Sequence, residues 1–79
     1  MGGEKVKELD GFNAPWGKQV VIQEVAFNDG VVLMRIRIRE GRRFTIIDVD
    51  ADTAARWGKA MCAWSDESRR HEPHGERSA

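Results

Sequence analysis

Five arginines, Arg35, Arg37, Arg39, Arg42 and Arg43, fall between residues 31 and 45 with Glu40 as the only acid among them, a local charge of +4. Guanidinium groups in such a row have two binding chemistries open to them. They grip the phosphates of a nucleic-acid backbone, or they form paired hydrogen bonds with carboxylates of a protein. The rest of the chain favours the second. Its 79 residues carry 13 Lys and Arg against 13 Asp and Glu, so no global basic field draws it toward nucleic acid. Aromatic side chains for base stacking are limited near these arginines to Phe27 and Phe44. The plainest account of the row is a solvated strand face, with pairs such as Arg35 and Glu24 contributing little and arginine stems shielding aliphatic neighbours.

Other chemistry-bearing residues have simpler readings. Cys62, His71 and His74 are the candidate metal ligands, and three isolated positions fall short of the four paired ligands of a structural zinc site. Asp48, Asp50 and Asp52 alternate in a way that could gather carboxylates for magnesium or acid–base work, but they stand just before a helical pattern, where caps belong. No Gly-rich phosphate loop, Gly-x-Ser-x-Gly elbow or His-Glu-x-x-His is present, so a non-enzyme with no cofactor, no metal and no small-molecule substrate is expected. Trp16, Trp57 and Trp64 are most simply core residues. A cage for a cationic ligand would need the rings around a common point.

The elements that must position these groups follow from periodicity. Gln19–Phe27 is rich in Val and Ile, Val31–Arg39 alternates, and Phe44–Val49 is again β-branched and aromatic, which predicts three strands. Asn28-Asp29-Gly30 and Glu40-Gly41-Arg42 are short enough to force antiparallel hairpins. Beyond Asp50 the period changes: Ala54, Trp57, Met61 and Trp64 recur at three and four residues, a helical stripe with Asp50 or Asp52 as its cap. The expected fold is therefore α+β, a three-stranded antiparallel meander with one C-terminal helix packed on one face. Residues 1–11 read as a flexible lead-in, 12–68 as a single compact domain and 69–79 as a disordered tail. The Gly11–Gly17 segment, with Pro15 at a turn corner and Gly17 at positive φ, should cap one end of the core by packing Phe12 and Trp16.

Hairpin register decides which side chains meet. A two-residue Asp29-Gly30 turn places Glu24, Ile22 and Val20 opposite Arg35, Arg37 and Arg39 and turns Gln23 inward. A three-residue loop with a bulge at Gly30 buries Val20, Ile22, Glu24 and Ala26 instead. Burying Glu24 unpaired costs more than burying a bonded Gln23, which favours the first register. In both, one helix covers one sheet face, and the other is half aliphatic and half arginine. Three outcomes are open for it: the aliphatic positions stay wet, the N-terminal segment with Phe12 folds across them, or a second molecule docks there.

The expected function is a small protein-interaction module, a homodimer or an accessory subunit of a larger assembly, using Val31, Leu33, Arg35, Arg37, Arg39, Arg42 and Arg43. Weak nucleic-acid binding through Arg35, Arg37, Arg39, Arg42 and Arg43 is the alternative. The lone cysteine excludes an internal disulfide, and the first residues resemble neither a secretion signal nor a lipidation site, so a cytoplasmic protein with no membrane partner is expected.

Overall fold

The structure, a computed structural model, describes residues 3–71. It is α+β in the order β1 (Glu4–Ala14), β2 (Lys18–Phe27), β3 (Val32–Glu40), β4 (Arg43–Val49), α1 (Ala51–His71). The four strands form one antiparallel sheet in sequence order, a meander in which each strand pairs with its chain neighbour.

The sheet has four strands rather than three. What reads as a lead-in is largely β1, because Glu4, Val6 and Glu8 alternate with Lys5 and Lys7, and the whole segment lies in register along β2. It lengthens the sheet sideways instead of folding across it, so it covers neither face. A bulge at Leu9, between the Glu8–Gln23 and Asp10–Ile22 pairs, interrupts this outer edge. Phe12 is thus a strand residue. Trp16, also expected to pack, stands at the β1–β2 turn 85% exposed. Pro15 and Gly17 do supply the turn, with Gly17 at φ 73°, but Trp16 is also left-handed at φ 63°, a conformation that costs a bulky residue of order 1 kcal/mol.

The β2–β3 hairpin takes the second of the two registers. Gly30 donates its amide to the Phe27 carbonyl at 3.0 Å, Phe27 donates to Val31 at 2.8 Å, and the loop is Asn28-Asp29-Gly30. A two-residue turn of the primed type would require positive φ at Asp29, whereas only Gly30 has it, at 92°. The Asp29 carboxylate instead accepts the Val31 amide at 3.0 Å and holds the three-residue loop. Gln23, Val21 and Gln19 therefore stand opposite Arg35, Arg37 and Arg39, and Glu24 stands opposite Met34. The cost that argued against this register does not arise, since Glu24 is only half-buried and has Lys7 across from it on β1.

Alternation gives the sheet two faces. The arginine face carries Glu4, Val6, Glu8, Val21, Gln23, Val25, Leu33, Arg35, Arg37, Arg39, Phe44, Ile46 and Asp48. Val20, Ile22, Ala26, Val32, Met34, Ile36, Ile38, Ile47 and Val49 make the aliphatic face.

Asp50 is the only residue between β4 and α1, and it caps the helix: its carboxylate accepts the Thr53 amide at 2.9 Å and its carbonyl accepts that of Ala54. Hydrogen bonding to the Thr53 side chain, and then to its amide, holds the carboxyl below its ordinary value. The helix carries the anticipated Ala54, Trp57, Met61, Trp64 stripe but does not close the domain. It approaches the sheet chiefly at β3, and none of its residues is buried. Trp64 is 71%, Met61 64% and Trp57 42% exposed, so these indoles and the thioether are not core. Among the described residues one side chain, Val25, is fully buried. The helix reaches into 69–71, where a tail was expected; residues 72–79, with His74, lie outside the described residues, as do Met1 and Gly2.

Candidate functional site

The arginine face is organised by Arg35. Its Nε and Nη2 donate to the two carboxylate oxygens of Asp48 on β4 at 2.8 and 3.1 Å, and Nη1 lies 3.6 Å from Glu4 on β1. One guanidinium thus ties β1, β3 and β4 together, with β2 beneath it. Glu4 is in register with Phe27 and Arg35 with Gln23, so their bridge crosses β2 at Val25, which explains why that valine has no exposure. The bond to Arg35 holds the Asp48 carboxyl below its ordinary value, and the same bond raises Arg35 further. Asp48 is therefore a clamp for Arg35, and of the three alternating aspartates Asp50 alone is the cap.

Arg37 and Arg39 are held more lightly. The Arg37 guanidinium stacks over the Phe44 ring at 5.3 Å, a cation–π contact between β3 and β4, and Arg39 Nε donates to the Gly41 carbonyl at 3.3 Å. A shallow depression lined by Gln19, Val21, Arg37, Arg39 and Phe44 lies between them. Around these cations stand exposed apolar side chains: Val6, Phe44 at 54% and Ile46 at 55%, with Val31 at the neighbouring loop.

Of the residues singled out from sequence, Leu33, Arg35, Arg37 and Arg39 share this face, with Val31 at its end. Arg42 sits in the β3–β4 turn, and Arg43 is on the aliphatic face opposite Glu40, which in turn bonds Lys18 at 3.2 Å. The five arginines therefore do not form one row. Sequence reasoning missed Glu4, Val6, Phe44, Ile46 and Asp48 as members of the surface. The signal for the first two was the period-two pattern of residues 4–8; the last three needed the β3–β4 register. The turn that carries Trp16 stands at the same end of the sheet as Arg39 and Arg42, since Lys18 pairs with Glu40.

Among the described residues no group of three or more His, Cys, Asp or Glu side chains converges as a metal site. Cys62 is free and exposed on the helix. No helix here is long and apolar enough to cross a membrane.

A family model described as "Family of unknown function (DUF6967)" matches residues 3–67. The chain belongs to that family. The matched span takes in all four strands and most of α1. Neither a curated protein nor a solved structure shows a significant match.

Proposed function

We propose that the protein is a non-enzymatic interaction module, acting on itself or as an accessory subunit, whose arginine face receives a protein partner. One observation carries this reading: half-exposed Val6, Phe44 and Ile46 surround arginines already oriented by their own sheet. Arginine and aromatic side chains dominate binding energy at protein interfaces, and a guanidinium held in place loses less freedom on docking. Trp16 is exposed and left-handed at the adjoining end of the sheet. The partner's matching patch would offer aliphatic groups with one or two carboxylates for Arg37 and Arg39.

Nucleic acid fits this face less well. Glu4, Glu8 and Asp48 stand on the same face as Arg35, Arg37 and Arg39, so its formal charge is balanced and a phosphate backbone gains little. The test compares wild type with Arg37→Glu as baits for partner capture from the native host, with far-ultraviolet circular dichroism as the folding control. A prey enriched by wild type and lost with Arg37→Glu is the expected result; preys indifferent to the substitution would overturn the reading. Anisotropy titrations with labelled RNA and DNA at low salt should stay flat, and a salt-sensitive rise would move the function to nucleic acid.

A further inference from the structure

The aliphatic face, half-buried, and the helix stripe, largely exposed, are two apolar surfaces of one chain, and neither is fully covered. Ile22, Met34, Ile36, Ile38 and Ile47 occupy the middle of the sheet and none is buried. Trp57, Met61 and Trp64 run along α1 and none is buried either. An isolated helix is marginal in water, and a sheet open on both sides has no core. Each surface is the kind the other needs, yet Asp50 keeps them apart. It is the whole connection between β4 and α1, and its carboxylate and carbonyl are both committed to the first helical turn. With no slack in the link, the helix leaves the end of the sheet rather than doubling back over it.

We propose that the occupant of the aliphatic face is helix α1 of a second copy of this chain, in a two-fold dimer with exchanged helices. Short connectors that cannot close favour such exchange. Dimensions agree: 21 helical residues span about 31 Å at 1.5 Å each, and the nine residues of β3 about 30 Å. Two helix-on-sheet contacts of about 31 by 10 Å remove roughly 1,200 Å² of surface counting both sides, within the range of stable interfaces. A chain of zero net charge sets up no overall repulsion between copies.

This deepens the interaction-module reading by naming a partner, but it uses the opposite face, so the two can fail separately. Light scattering and sedimentation of the full chain should give twice the 9.0 kDa chain mass. Met61→Lys with Trp64→Lys, both at solvent-facing positions of the single chain, should halve that mass. Inserting five Gly and Ser residues between Asp50 and Ala51 should also give a monomer, now with blue-shifted tryptophan emission as the helix folds onto its own sheet. Arg37→Glu should remain dimeric. A wild-type monomer at every concentration overturns the proposal, as does a dimer that survives the lysine pair. A dimer that survives the insertion but not the lysines would mean helix-on-helix association and likewise removes exchange. Dissociation by Arg37→Glu alone would put the contact on the arginine face and end this proposal while leaving the interaction-module reading in place.

Discussion

Single side chains in this sheet do work that a core does elsewhere. Arg35 bonds two strands besides its own, and its contact with Asp48 gives the carboxylate a folded pKa lower than its unfolded one. A group depressed in this direction stabilises the fold fully above its ordinary value of 3.8 and loses that contribution as pH falls through the lower folded value. Wild type should therefore lose melting temperature between pH 5 and pH 2 (roughly the carboxylate range) more steeply than Asp48→Asn, which keeps a hydrogen-bond acceptor but no titrating charge. Equal slopes would show that the clamp contributes nothing. Part of this was legible beforehand: Asp50 as a cap follows from its place ahead of the Ala54 and Trp57 stripe. The role of Asp48 was hidden, because pairing it with Arg35 requires the β3–β4 register, which a one-residue slip would reverse.

Strands and helix were mostly readable because their periods are, and the failures sit where local patterns compete with turns. β2, β3, β4 and α1 announce themselves through Val and Ile runs and the three–four spacing. β1 did not, since the alternation that marks its first half, residues 4–8, is of charge against charge, Glu4 and Glu8 against Lys5 and Lys7, with Val6 the one apolar residue there. The β2–β3 register went the other way because Asp29 spends its carboxylate on Val31 and keeps negative φ, a choice of turn that composition cannot settle. At the first hairpin, Trp16 occupies a left-handed position for which glycine is suited. Trp16→Asn, which tolerates this region without glycine's added freedom in the unfolded chain, should raise stability by up to about 1 kcal/mol, seen as a higher midpoint in urea. An unchanged or lower midpoint would show that the indole supports the hairpin after all.

Taken whole, the molecule measures 54 × 30 × 16 Å, a plate with an arm rather than a ball. The expectation of a helix closed over a sheet rested on a sound rule, that an apolar stripe seeks an apolar face, and the chain obeys it only in composition. What periodicity does not encode is whether the link lets the two meet within one copy. The arginine surface was half legible for a similar reason: β3 alone displays Arg35, Arg37 and Arg39, whereas Val6, Phe44 and Ile46 join them through neighbours on either side.

The meander has a temporal consequence. Every strand pairs with the next in sequence, so all ladder contacts close short loops, the class of topology that forms fastest among sheets. If the helices are exchanged as proposed, what remains after the hairpins zip is a bimolecular encounter. Refolding followed by tryptophan emission should thus show a first phase whose rate ignores protein concentration and a second that slows in proportion as the sample is diluted. A single concentration-independent phase would mean that the helix finds its place within its own chain.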